Sequence, residues 1–167
     1  GNALLGTLHS VDTGIYTIPA DGGEPTLVTE QGREPRFDHT GERIYFFAGG
    51  GFNREYRSVD LHGGEERTHF EMRDVTTVVP SPDGRWVAFQ ELFNVYIAPF
   101  PRTGGSITLT KDTRAVPVAQ ATRDAGDYLH WSGGSDQLHW TIGPEYFTLD
   151  LADAFAFVGG RDEVDPI

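Results

Sequence analysis

A paired glycine that returns at a fixed interval limits this chain more than any other feature. Gly22-Gly23, Gly63-Gly64 and Gly104-Gly105 are spaced by a constant 41 residues. Each pair lies between an aromatic or β-branched run and a second short run. These are Ile15-Tyr16-Thr17-Ile18 before Thr26-Leu27-Val28, Tyr56-Arg57-Ser58-Val59 before Arg67-Thr68-His69-Phe70, and Val95-Tyr96-Ile97-Ala98 before Ile107-Thr108-Leu109. Short β-prone runs joined across glycine read as hairpins. A second turn recurs out of phase with the first. In Ser81-Pro82-Asp83-Gly84 the proline presets φ, Asp83 can bond its own backbone, and the glycine closes the turn without a Cβ clash. Asp38-His39-Thr40-Gly41 and the proline-free Ser132-Gly133-Gly134-Ser135 occupy the same place in their units.

The strand after the second turn decides the architecture. Trp86 to Phe89 is apolar on consecutive residues, so both of its faces demand burial, which a sheet with one wet face cannot provide. Further copies of the unit must stack on either side. A repeat of about 40 to 45 residues carrying four strands is the pattern of a propeller blade, and no helical apolar period competes with it. The chain therefore reads as all-β, a partial β-propeller of about four four-stranded antiparallel blades over residues 1–158. The first unit, Ala3 to His9 and Ile15 to Val28, lacks an inner strand. The second has Glu34 to Asp38, Arg43 to Ala48, Glu55 to Leu61 and Glu66 to Phe70, and the third spans Val78 to Thr110. The fourth has Tyr128 to Ser132, Gln137 to Ile142, Glu145 to Leu151 and a closing run Ala154 to Val158. Pro35 and Pro80 fall on innermost strands, where one missing N–H is tolerable. Residues 159–167 read as an acidic linker or tail.

The turn, apolar strand, aromatic hairpin and Gly-Gly turn together resemble the repeat of TolB-like propellers, also called WD40-like or PD40 repeats, across nearly the whole chain. That resemblance implies a six-bladed disc in the intact parent. Phe89 to Phe100 and Asp127 to Ser132 further resemble the propeller that precedes the metal-dependent barrel of certain secreted amidohydrolases. It implies a periplasmic or secreted setting, and a chain running on from the 159–167 tail toward a hydrolase barrel. An open arc leaves blade faces and a strand edge uncovered, so the expected partners are the remaining blades, another copy of the chain, or a hydrolase domain.

Charge and composition narrow the function. With 25 acidic against 13 basic residues the net charge is −12, which repels a phosphate backbone and argues against nucleic acid. No apolar run reaches the roughly 18 residues a membrane span needs. The absence of cysteine excludes disulfides and thiolate metal sites. None of His9, His39, His62, His69, His130 and His139 stands in a His-x-His or His-Glu-x-x-His spacing, so no metal centre is assigned. His130 and His139, expected across a hairpin with Trp131 and Trp140, read as packing between blades. Trp131-Ser132-Gly133 is a turn, not a nucleophile elbow, and no lysine or helix follows Gly49-Gly50-Gly51 to make a phosphate loop. No catalytic residue and no cofactor is assigned.

Two departures from the repeat mark a candidate binding face. One is Gly49 to Arg54, between the second and third strands of its blade. The other is an insert of about ten residues within Asp112 to Asp127, where Arg114 to Ala119 has the makings of an extra edge strand. In an up-and-down blade both emerge on the same side, so Gly50, Phe52, Asn53, Arg54, Arg114 and Arg123 are the candidate contact residues. Three readings stand together: a non-catalytic scaffold segment of an amidohydrolase-like protein, a free-standing TolB-like protein-binding propeller, or the propeller of a prolyl-oligopeptidase-like peptidase.

Overall fold

The computed structural model of the chain describes residues 14–102 and 105–156; the Ala3 to His9 run, Gly104, and everything after residue 156, including the 159–167 tail, lie outside them. The architecture is all-β, an arc of blades with one short helix. The first unit contributes β1 (Ile15–Thr17) and β2 (Thr26–Thr29), paired antiparallel. The second is β3 (Arg33–Phe37), β4 (Arg43–Gly50), β5 (Asn53–Asp60) and β6 (Arg67–Met72) in consecutive order. The third holds β7 (Val75–Pro80), β8 (Trp86–Glu91) and β9 (Asn94–Pro99). After β10 (Ile107–Thr108) and β11 (Ala119–Gln120) come β12 (Asp127–Trp131), β13 (Gln137–Ile142) and β14 (Glu145–Asp150) of the fourth, then α1 (Leu151–Ala156).

Strand alternation builds the contacts between blades. Along β8, Val87 and Phe89 enter the core shared with the second blade while Ala88 enters the core shared with the fourth. In β9, Tyr96 and Ala98 face the second blade and Val95 and Ile97 the fourth. In β4, Phe47 faces the third blade, and Ile44, Phe46 and Ala48 face the first. The seam between the second and third blades is an aromatic ladder in which Tyr45 stacks on Tyr56 at 5.5 Å and Phe70 meets Phe100 edge-on at 5.1 Å. Each of the buried rings among them, Tyr56, Phe70 and Phe100, contributes about 2–3 kcal/mol over leaving it in water.

The recurring turns are identical in backbone and cap. Gly41, Gly84 and Ser135 each donate N–H to the carbonyl three residues back, at 3.1, 2.9 and 3.0 Å. The first residue of each turn then caps the amide five residues on: Arg43 N–H to Asp38, Trp86 N–H to Ser81 Oγ, and Gln137 N–H to Ser132 Oγ. Thus the fourth unit keeps the turn without its proline. It also places Ser135, not glycine, at the left-handed position, with φ 62 against 67 for Gly84 and 76 for Gly41. The reason lies across the seam: Ser135 Oγ accepts the Asp83 N–H of the preceding turn at 3.0 Å. Asp83 itself is pushed up by burial, but hydrogen bonds from Ser81 Oγ, the Arg85 amide and the Arg85 guanidinium outweigh that and bring its carboxyl down to about 2.

The structure corrects the expected blade composition in three places. Ile107-Thr108 does not close a hairpin with β9; β10 lies parallel on β6, the outer strand of the second blade, with Leu109 N–H donating to Glu71 O at 2.9 Å. Pro99 and Pro101 flank the end of β9 and supply no N–H to continue that ladder. The outer edge of β9 is taken by β11, so of the anticipated Arg114 to Ala119 strand only Ala119 is in strand, paired together with Gln120, and Thr122 Oγ1 accepts the Val95 N–H at 2.9 Å beside it. In the fourth blade, α1 stands where Ala154 to Val158 was expected to begin a strand. Leu151 N–H bonds Asp136 O at 2.8 Å, and Phe155 packs on Trp86 with ring centroids 5.0 Å apart.

The last blade is apolar on one face only. Trp131, Leu138 and Trp140 point into the seam with the third blade, where Trp131 Nε1 donates to Val79 O at 2.9 Å. The opposite face carries the stacked rings of His130, His139 and Tyr146, with Thr148 bonded to His139. The tryptophans close an internal seam and do not project toward a further blade.

Replacing Ser135 tests the account of the fourth turn. Ser135→Ala keeps the left-handed strain and loses the bond to Asp83, and is expected to cost about 1–2 kcal/mol. Ser135→Gly removes the strain as it loses the bond and is expected to stay within about 0.5 kcal/mol of wild type in urea unfolding.

Candidate functional site

Three two-residue hairpins point to one side of the arc. In β4–β5 the tip is Gly51-Phe52, in β8–β9 Leu92-Phe93, and in β13–β14 Gly143-Pro144. The Gly49 to Arg54 stretch is thus a tight tip and not a long loop. The strands lead the β6–β7 connector, Arg73-Asp74, and the approach to β12 to the same side. The first tip residue needs φ > 0, and Gly51 (φ 60) and Gly143 (φ 57) supply it freely. The middle blade breaks this rule. Leu92 (φ 47) and Phe93 (φ 76) are both left-handed, and they leave 61% and 75% of their surface exposed. Two bulky apolar residues in strained geometry at a solvent-facing tip have no packing role that explains them.

Between the first two tips lies a cleft of about 630 Å³. Phe52, Leu92 and Phe93 form its apolar rim, and Arg54, Arg73, Asp74, Thr76, Gln90 and Asp127 its polar wall. Gln90 is fixed from both ends: its Nε2 donates to Gly126 O at 2.8 Å and its Oε1 accepts from Thr76 at 2.9 Å. Arg54 Nη1 donates to Val75 O at 3.0 Å, while its buried Nε has no partner among the described residues. The Arg73 guanidinium lies over the Phe52 ring, 5.0 Å from its centroid, and neither Arg73 nor Asp74 forms an ion pair among the described residues. A rigid polar floor, an exposed aromatic rim and a guanidinium stacked on one of the rings make the composition of a protein-contact hot spot.

Of the residues singled out in the sequence, Phe52 and Arg54 line this cleft. Gly50 and Asn53 pair with each other at the base of the same tip without lining it. Arg114 and Arg123 are exposed and lie outside its walls. Leu92, Phe93 and Arg73 are residues that only the structure brings to the cleft, although a Leu-Phe pair between two strands, where glycine or asparagine is expected, is a readable signal.

The described residues offer little for catalysis. No three His, Cys, Asp or Glu side chains cluster as a metal site among them. Ser58 Oγ and His69 Nε2 are 2.8 Å apart, the spacing of a nucleophile and its base. Ser58, however, is fully buried, and its oxygen also accepts the Arg43 Nε–H at 3.0 Å, so the hydroxyl is held inside the blade. Burial, with Arg43 and Arg67 adding positive charge nearby, lowers the imidazole to about 4. The pair is a structural hydrogen bond within the second blade. His130 Nδ1 bonds Tyr128 O at 3.0 Å and His139 Nδ1 bonds Thr148 Oγ1 at 2.8 Å, so these stacked rings are also tied to their own sheet.

Two measurements follow. Between about pH 6.5 and 4 the unfolded chain takes up a proton at His69 that the folded chain refuses, so stability is full above 6.5 and falls with pH through that window. The loss is expected to be about 2 kcal/mol once the ring's partial exposure is allowed for, and His69→Phe is expected to flatten it in urea titrations at pH 7 and 4.5. Replacing Leu92-Phe93 by Asn-Gly is expected to raise stability by about 1–2 kcal/mol, because it installs residues at ease with φ > 0. A fall in stability would show that the two side chains pack within the fold.

No family model matches the chain, and a search of curated proteins finds no match. Solved structures share its shape. The crystal structure of TolB from Acinetobacter baumannii superposes with a TM-score of 0.59 at 16% identity over 83% of this chain and 35% of that one. The nidogen/laminin complex gives 0.54 at 19% over 84% and 57%, and hydrazine synthase of Kuenenia stuttgartiensis 0.53 at 15% over 89% and 49%. The chain spans between about a third and three-fifths of the length of these neighbours. Stacked blades, repeated turns and these superpositions show a TolB-like β-propeller fold, of which this chain forms an arc.

Proposed function

We propose that this chain is a non-catalytic propeller scaffold that holds a partner protein on the hairpin-tip side, centred on Phe52, Arg73, Leu92 and Phe93. The observation that supports it most is the Leu92-Phe93 tip. Strain at a site with no structural need for it is retained where the side chains are used. The neighbours' shared shape favours a scaffold, and the nidogen/laminin structure is of a protein complex by its own description. The Ser58–His69 contact is buried and adds no chemistry to this reading.

The larger setting is also part of the proposal. The likeness of Phe89 to Phe100 and Asp127 to Ser132 to amidohydrolase-associated propellers favours a parent with a metal-dependent hydrolase domain, in a secreted or periplasmic setting. There the arc would dock the catalytic domain or shape access to it. Reading the parent gene for a metal-binding barrel tests that setting separately from the binding surface.

The surface itself is tested by a photo-reactive phenylalanine analogue placed at Phe93 and, as a control, at Phe37, which is also exposed and lies outside the cleft. In the native host, discrete adducts from position 93 that disappear on Arg73→Ala or Phe52→Ala are expected. Adducts of equal yield from both positions, or none from position 93, would refute the binding face. Zinc-dependent hydrolysis of amide or ester substrates by the isolated chain would refute the non-catalytic half.

A further inference from the structure

We propose that the outer edge of β14 is a strand-addition site, which takes an extended, basic-ended segment of a partner chain as a fourth strand beside the three described in the last blade. β14 is bonded to β13 over all six of its residues, and no strand among the described residues pairs with its other edge. The described chain beyond it, Leu151–Ala156, does not pair with that edge. It forms α1, which is pinned by the Leu151–Asp136 bond and the Phe155–Trp86 contact at the seam with the third blade.

The side chains of β14 register the vacancy. Phe147 and Leu149, which face the seam, are half-buried, whereas their counterparts in the third blade, Tyr96 and Ala98, are buried. The third blade has β11 on its outer edge, and the fourth has nothing there among the described residues. An added strand would cover the exposed flanks of Phe147 and Leu149 while satisfying the outward N–H and C=O groups of β14.

The same chain shows what such an edge accepts. The outer edge of the second blade carries β10, a strand that arrives from beyond the third blade and runs parallel to β6, and β11 reaches the third blade from an insert. In β10 and its continuation, Ile107 and Leu109 pack inward while Thr108 stays exposed, so the accepted pattern alternates apolar residues with threonine. Charge sets the ends of the occupant. Glu145 and Asp150 bracket the β14 edge in a chain of net charge −12, and an incoming strand with Lys or Arg at its termini meets both carboxylates.

The probe is a capped peptide of residues 105–111, Gly-Ser-Ile-Thr-Leu-Thr-Lys, which has that alternation and a basic end. Amide hydrogen exchange on the full chain reads the edge directly. At saturation, exchange is expected to slow about tenfold at alternate β14 amides, those that point away from β13, with the β13-bonded amides unchanged. A backbone N-methylated peptide is expected to give no slowing, and a Lys→Glu peptide or the Glu145→Lys/Asp150→Lys chain to weaken it.

Three results would overturn the proposal. The first is slow exchange at the outward β14 amides before any peptide is added, which means that the chain covers its own edge. The second is their protection by self-association, seen as a concentration-dependent dimer in sedimentation. The third is no change at millimolar peptide. None of these outcomes touches the hairpin-tip cleft, so loss of strand addition leaves that binding face to stand or fall on its own test.

Discussion

Everything in this molecule depends on sheets that cannot exist alone. A strand such as β8, with Val87 and Phe89 on one side and Ala88 on the other, has no face to offer water. Isolated, the third blade would expose both of its faces. Packed between neighbours, it places these side chains in full burial and makes the stack cooperative, because each seam depends on both blades that form it. The repeated turns belong to the same constraint. They hold successive inner hairpins in one geometry, and the contacts His39 to Gly84 and Asp83 to Ser135 join one turn to the next, so that the seams stay in register.

Stacking leaves the outer edges of the sheets unsolved, and the chain handles each one differently. In the second blade the edge is covered by β10 from the next unit, which ties two blades together through Glu71, Ser106 and Leu109. The buried Glu91 then holds the chain as it leaves β10, accepting from Thr110 Oγ1 and from the Lys111 amide. In the third blade the insert returns as β11. The run expected to close the third blade and the insert after it are therefore two separate edge repairs joined by a turn. The insert is explained by this covering of edges, which accounts for its length without any ligand and for the distance of Arg114 from the cleft.

The sequence carried the blades because their signals are local. Period, turn chemistry and two-sided apolarity fixed β3 to β9 and β12 to β14, with Pro35 and Pro80 on inner strands as expected. Where the reading failed, the deciding partner was distant. Ile107-Thr108-Leu109 is a good strand in any context, and nothing within it states that it will pair with Phe70 and Glu71 and not with β9. Leu151 to Ala156 is short and mostly apolar, and as a helix it packs Leu151, Ala154 and Phe155 into the same cluster as Trp86 and Ala121. The cleft was half legible. Phe52 and Arg54 stood out beside a glycine run, whereas Arg73 gains meaning only through the ring it covers.

The loss of the proline turn in the fourth unit joins these strands of argument. Proline and glycine make a turn inexpensive by lowering the entropy and strain of forming it. Ser132 to Ser135 gives up both advantages and keeps the geometry, because Ser132 caps Gln137 and Ser135 bonds the neighbouring turn. Strain within the last blade is thus exchanged for a tie to the blade before it. The same preference shows in Trp131, whose indole bonds Val79 O across the seam, and in α1, which packs back on Trp86. On the opposite face, His130, His139, Tyr146 and Thr148 bond within their own sheet and reach for no apolar neighbour. The apolar cohesion of this blade is directed backward, and its outward face carries polar groups together with the exposed rings of Tyr128 and Tyr146. Among the described residues the arc therefore has direction, with blades two and three sharing a seam on each face and blade four on one.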